Sequence, residues 1–312
     1  MLRLLPATVA ILCFTATAAL ADHGKGAVGG KTVSPQTLHE GDFSLEMGIR
    51  FQEARPLSDA FILAQVTAGH DTHSADWLLE FSLGAAFGVS DRLTIAVSLP
   101  FNQINNFRGS EDGATMVTAD HISGFGDMTV LGKISLLSSP VDVALIAGVK
   151  IPTGVTSRVD DIGDPLPSDH QPGTGTWDPM LGVAAGISLD ERIRVNASFM
   201  VRITTQGSNA FEPGDTMTLA AKLEYQVFNL GSFPRVYATL EIALERIAMD
   251  SDAGALNGDS GGWVASVGPG VRIRFGDHLS AGVTVSFPVY QGLNGVQHHE
   301  IFEVAGVVTV DF

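Results

Sequence analysis

Hydrophobic and polar residues alternate with a period of two along much of the chain. Phe43, Leu45, Met47, Ile49 and Phe51 are interleaved with Ser44, Glu46, Gly48, Arg50 and Gln52. Ile193, Val195, Ala197, Phe199, Val201 and Ile203 alternate with Arg194, Asn196, Ser198, Met200, Arg202 and Thr204. Val236 to Glu245 repeats the pattern. Successive side chains of a strand point to opposite faces, so each such segment has one apolar and one polar face. Twelve strands are predicted, near 42–51, 77–88, 93–102, 124–137, 141–151, 176–188, 193–205, 215–227, 235–246, 261–275, 279–289 and 300–312. Residues 22–41, Gly-rich at their start, are read as a flexible periplasmic segment preceding them, which either hangs free or plugs the barrel from below.

A soluble sandwich shares this alternation, but the connections separate the two cases. Short turns (90–92, 138–140, 190–192, 229–234 and 276–278) alternate strictly with long connections (52–76, 103–123, 152–175, 206–214, 247–260 and 290–299). Outer-membrane barrels have short periplasmic turns, long external loops and an even number of strands. The last strand carries Phe302, Val304, Val308, Val310 and the terminal Phe312 on one face, with Glu303, Thr309 and Asp311 on the other. An aromatic terminus on such a strand resembles the signal read by the outer-membrane assembly machinery, with Phe312 as its key residue. The predicted fold is therefore all-β: a transmembrane up-and-down antiparallel β-barrel of about 12 strands over residues 42–312. In hydrocarbon every backbone polar group needs an internal partner, which a closed barrel supplies without edges. Trp77, Phe101, Trp177, Tyr225, Trp263, Phe275 and Phe312 fall near strand ends, where aromatic girdles belong.

Composition agrees. Charged residues make up 17% of the chain, against ~25% in soluble domains. Past the first 21 residues, no stretch reaches the ~18 consecutive apolar residues of a spanning helix. Arg3, the apolar run Leu4 to Ala18 and the small-x-small site Ala19-Leu20-Ala21 read as a signal peptide over residues 1–21, cleaved before Asp22. Its removal takes away Cys13, the only cysteine, which excludes a thiol nucleophile, a disulfide framework and a cysteine metal site. It also leaves 17 basic residues against 34 acidic ones. Nucleic acid is not expected as a partner, because phosphate binding needs a basic surface.

Several phrases then carry a family resemblance: Lys31-Thr32-Val33-Ser34-Pro35, Leu99-Pro100-Phe101, Gly124-Phe125-Gly126-Asp127, Gly148 to Gly154, and above all His170 to Pro179. They resemble a family of bacterial outer-membrane barrels labelled as transporters or as components of the meta-pathway of phenol degradation. The resemblance spans most of residues 31–312. It implies an outer-membrane protein that passes small organic compounds, and it brings no catalytic signature and no cofactor.

The polar faces collect Glu46, Arg50, Glu80, Asp127, Lys133, Lys150, Asp178, Arg202, Lys222, Glu224, Glu241, Glu245, Arg272, Arg274 and Glu303. In a barrel these line the lumen, either as a selectivity lining, since charged rings decide which solutes pass, or as a sealed, salt-bridged interior. Eight strands fill with side chains and sixteen leave a channel, so twelve leaves both readings open. In the long loops, His70-Asp71 with His73, and the pair His298-His299, have the donor types for a divalent metal. No metal-site spacing is complete, so solvated loop histidines remain the competing reading. The acidic loop with Asp160, Asp161, Asp164 and Asp169 suits Ca²⁺ or a cation bridge to lipopolysaccharide, or is simply solvated.

Three lookalikes fail on context. Gly258-Asp259-Ser260-Gly261-Gly262 matches a serine-protease nucleophile segment without the scaffold. The run Gly26 to Thr32 is one residue short of a phosphate loop, and Asp250 to Gly254 lacks later ligands of a Ca²⁺ loop. The expected function is a passive outer-membrane channel for small organic solutes, aromatic or apolar ones included, and not an enzyme. Its expected surroundings are outer-membrane lipid and lipopolysaccharide. The rivals are a structural or adhesive barrel with a plugged lumen and, last, an outer-membrane hydrolase. The hydrolase needs a Ser and His on the outward face near the membrane edge, and the apolar faces contain neither.

Overall fold

The computed structural model describes residues 31–228 and 233–312. The expected signal peptide lies outside the described residues, as does part of the 229–234 turn. The strands are β1 (Phe43–Ala54), β2 (Trp77–Ser90), β3 (Leu93–Gly109), β4 (Val117–Phe125), β5 (Met128–Ser138), β6 (Val141–Ile151), β7 (Asp178–Ser188) and β8 (Ile193–Arg202). They continue with β9 (Phe211–Glu212), β10 (Thr216–Phe228), β11 (Arg235–Ile247), β12 (Ser251–Asp252), β13 (Ala255–Leu256), β14 (Gly262–Arg274), β15 (Leu279–Leu293) and β16 (Glu300–Asp311). Among the described residues one α-helix, α1 (Asp59–Thr67), sits in the β1–β2 loop, its amino end capped by Ser58. No helix of the described residues is long and apolar enough to cross a membrane.

Long strands pair antiparallel with their sequence neighbours, and β1 pairs with β16, so the sheet closes on itself. At the seam, Phe312 N–H donates to Phe43 O at 2.7 Å. β4 and β5 together form one stave: β3 pairs with β5 through Leu93–Ser98 and with β4 through Phe101–Gly109. The result is a closed, twelve-stranded antiparallel barrel, with the three short strands β9, β12 and β13 forming a small sheet in the loops.

The alternation predicted for the strands is what makes the barrel amphipathic. Leu45, Met47, Ile49, Phe81, Leu83, Leu219, Leu240 and Ile242 face outward and are exposed. Their neighbours Glu46, Glu80, Ser82, Ala220 and Glu241 are buried inside. The outer surface is thus apolar where lipid is its solvent, and the interior is mostly polar.

Two expectations are corrected. The strand predicted over 124–137 breaks at Gly126-Asp127, and β3 runs on to Gly109 rather than stopping near 102. A Cβ on Gly126 would lie 2.8 Å from Asn102 Nδ2 and 3.1 Å from Pro172 O, so the chain turns where only glycine leaves room. The Asp127 carboxylate then accepts the Gly154 and Thr174 N–H groups at 2.9 and 2.8 Å, joining the break to the 152–177 loop. The second correction concerns residues 22–41: of these, 31–38 do not hang free below the barrel but lie within it. Thr32, Val33, Ser34 and Leu38 are buried, because their backbone groups find hydrogen-bond partners, three acceptors and one donor, on inward-facing side chains of four strands.

Candidate functional site

The lumen is built from the inner faces of the strands and from residues 31–40. Glu241 on β11 accepts the Lys31 N–H at 2.8 Å and the Thr32 N–H at 3.3 Å. Ser198 on β8 accepts the Val33 N–H at 2.9 Å, and Lys133 Nζ on β5 donates to Ser34 O at 3.1 Å. Thr94 on β3 accepts the Leu38 N–H at 2.8 Å. The Lys31 ammonium pairs with Glu245. Near the short turns, Asp91 accepts the Glu40 N–H at 3.1 Å and Gly88 O accepts the Gly41 N–H at 2.9 Å. The segment passes close to the wall at Gly88, where a Cβ would stand 1.9 Å from His39 O.

All fifteen sequence-selected charged residues are buried or half-buried, at inward positions. They form separate groups rather than one ring. Lys150 Nζ lies 2.7 Å from Asp178 and 3.4 Å from Asp127. The Arg272 guanidinium meets Glu224 in a fork, at 3.1 and 2.7 Å, and stacks over Tyr237 at 4.4 Å. Arg50 is the cross-strand partner of Glu80 and lies 3.9 Å from Glu303, while Lys222 faces Glu241. Glu46 and Arg202 are buried on the same face, and Arg274 lines the mouth near the short turns together with Arg192, Arg194 and Gln36. That mouth holds a cavity of about 220 Å³.

Part of the lumen is not polar. Leu131, Ile146, Met180 and Ala184 project inward from β5, β6 and β7, and Val33 covers them together with Met200 of β8. Inward glycines make the seats: a Cβ on Gly148 would meet Leu131 Cδ2 at 2.1 Å, and one on Gly182 would meet Met200 Sδ at 2.1 Å. The near-continuous apolar run Val143 to Val149 was the available signal. A strand apolar on both faces needs a second apolar partner, and here lipid serves one face and Val33 the other.

The long loops close over the opposite end and enclose a cavity of about 720 Å³, lined in part by Asp71, Glu111, Asp160, Asp164, Asp169 and Asp252. Loop histidines do not gather as the sequence paired them. His70 turns to Asp259 (2.9 Å), which also accepts the Asp71 and Val296 N–H groups at 3.1 and 2.8 Å. The aspartate of the protease-like segment is thus a tie between three loops. His73 instead approaches His170 (ring centroids 4.5 Å apart) and Phe107. His73 Nε2 lies 2.8 Å from Asp71, and His170 Nδ1 lies 2.9 Å from Asp169. His298 is buried against this pair, while His299 is outside the group and its carbonyl accepts the Arg55 N–H at 2.8 Å. Burial opposes the charge on His73, but Asp71 outweighs it and pushes the imidazole up to about 9. Burial, with His170 and His73 nearby, drives His298 down to about 3. His170 was visible as the start of the strongest family phrase and Asp169 as part of the acidic loop, but their grouping with His73 joins positions about a hundred residues apart.

An outer membrane channel from Pseudomonas putida F1 superposes with a TM-score of 0.66 at 15% identity, covering 94% of this chain and 100% of that one. The NanC porin (TM-score 0.46, 9% identity, 86% and 98% covered) and the CymD monoaromatic hydrocarbon channel (0.45, 10%, 88% and 89%) are more distant. No curated protein matches the sequence significantly. Residues 62–296, well over half of the chain, match the sequence profile of a family described as "Putative MetA-pathway of phenol degradation". With the barrel fold in place, the chain belongs to that family.

Proposed function

We propose that the chain, after loss of residues 1–21, is an outer-membrane channel of a Gram-negative bacterium. It passes small organic solutes, aromatic and other apolar ones included, by passive diffusion. The observation that carries this reading is the apolar lumen patch of Leu131, Ile146, Met180, Ala184 and Met200, held under Val33. It lies between the 720 Å³ cavity at the loop end and the 220 Å³ cavity at the turn end. A purely ionic pore has no use for such a surface, whereas an apolar solute crossing a polar lumen gains a resting place when Val33 moves aside. The acidic loop cavity favours neutral and cationic solutes over anions. The charged groups on the inner wall act as the selectivity lining, and Phe312 at the seam serves recognition by the assembly machinery.

A plugged structural barrel is the second reading, favoured by the hydrogen bonds that hold residues 31–38 inside. Single-channel recording in a planar bilayer separates the two. The intact chain is expected to give small, interrupted openings with cation preference. Deletion of residues 22–38 is expected to give larger, steadier ones, with brief blockades on addition of phenol. Silence from both proteins, each folded by the heat-modifiability of its gel mobility, would overturn the channel reading.

A further inference from the structure

We propose that the extracellular loops hold a binding site for one divalent transition-metal ion of the zinc class, with His73, Asp169 and His170 as ligands. One donor atom from each of these three side chains lies within 4.8 Å of the other two. Ligand atoms on a single tetrahedral zinc stand roughly 3.4 Å apart, given metal–ligand bonds of about 2.0–2.1 Å, so side-chain rotation closes the set. Imidazole with carboxylate is the donor chemistry that selects zinc and its neighbours over Ca²⁺ or Mg²⁺, which take oxygen ligands.

The polar atoms are arranged for this. His73 is 6% exposed, and its Nε2 is occupied by Asp71 while its Nδ1 has no hydrogen-bond partner among the described residues. A carboxylate on one nitrogen fixes the ring and its tautomer and leaves the other nitrogen to the metal, as metal-binding histidines are usually held. His298 is 3% exposed, and among the described residues the only group near hydrogen-bonding position to its ring is the main chain of His73. Buried polar groups are ordinarily paired, and the His298 ring, with at most one main-chain partner, offers a nitrogen beside the other two histidines as a candidate fourth ligand. Phe107 packs against both His73 and His170 and shields one side of the group from water. His73 and Asp169 face the loop cavity on the other side, which gives an ion a way in.

The ligands come from separate connections: His73 precedes β2, Asp169 and His170 precede β7, and His298 precedes β16. A bound ion therefore adds a link among loops already tied in part by the Arg55–His299 main-chain hydrogen bond and by Asp259, and it sets the shape of the cavity. The site is independent of whether the barrel conducts.

The test is calorimetric titration of Zn²⁺ into the chain folded in detergent micelles after treatment with a chelator. The expected result is one saturable Zn²⁺ per chain. His73→Ala and Asp169→Asn are each expected to weaken it at least tenfold, Asp71→Asn by about tenfold through the ring it orients, and His121→Ala not at all. Co²⁺ absorption in the visible, present in the parent chain and lost in Asp169→Asn, reports the ligand set without any need for channel activity. Absence of saturable binding overturns the proposal. So does equal affinity in the parent and in the His73→Ala and Asp169→Asn chains, each verified as folded by heat-modifiability. That outcome marks the binding as adventitious surface chelation.

Discussion

Glu241 is the acceptor on which the luminal segment begins, and replacing it tests how that segment is held. Its two carboxylate oxygens take the N–H groups of Lys31 and Thr32, at 2.8 and 3.3 Å. A hydrogen bond to a charged group contributes about 1.5–3 kcal/mol to stability. The longer contact lies outside the usual ~2.7–3.2 Å range for N–H···O and adds little, so Glu241→Ala should cost the docked segment roughly 2–3 kcal/mol, mostly from the shorter bond. At ~1.4 kcal/mol per tenfold, the undocked fraction rises roughly 30- to 150-fold. Ser34 is buried in the docked segment (2% exposed), and the chain past residue 21 has no cysteine of its own. Ser34→Cys therefore gives a single thiol that a maleimide reaches only after undocking. In the Ser34→Cys background, Glu241→Ala is expected to speed labelling by that factor. Thr37→Cys, on a partly exposed position of the same segment, should change far less. An unchanged rate at position 34 in a folded barrel would refute the idea that these hydrogen bonds hold the segment. So would a rate already at the unhindered value in the parent.

Two further outcomes follow from the wall itself. Arg272→Ala leaves the Glu224 carboxylate buried without its fork partner and is expected to destabilise the barrel by about 3–5 kcal/mol. Urea unfolding in lipid vesicles reads the loss, and a paired Arg272→Met, Glu224→Leu chain should recover most of it. Ile242, 52% exposed and central on the outward face of β11, should cost ~2–4 kcal/mol when replaced by Arg if that face meets the bilayer midplane; a loss under about 1 kcal/mol would place that position outside the hydrocarbon.

Much of the barrel is legible in the chain because its rule is local. A strand in lipid must offer alternate residues to hydrocarbon and to the interior, so Leu45 against Glu46 or Ile242 against Glu241 declares its face without knowledge of any partner. Turn and loop lengths then order the strands by the same local logic. The misplaced break at 126–127 shows the limit of that reading: the outward face moves from odd positions up to Phe125 to even positions from Met128, and the close approach of Asn102 and Pro172 makes Gly126 the turn between them.

What the sequence determined by itself was the amphipathic wall: strand faces, their order and their inward charges. The tertiary structure alone decided what fills and covers that wall. Residues 31–38 carry no local sign of whether they stay in water or enter a lumen, because their hydrogen-bond acceptors, Glu241, Ser198 and Thr94, arrive from strands up to 210 residues away. Likewise His73, Asp169 and His170 meet only because separate loops fold over the same end of the barrel. Strand faces are fixed by neighbours one residue apart, whereas a plug or a loop site depends on long-range closure, which no local pattern encodes.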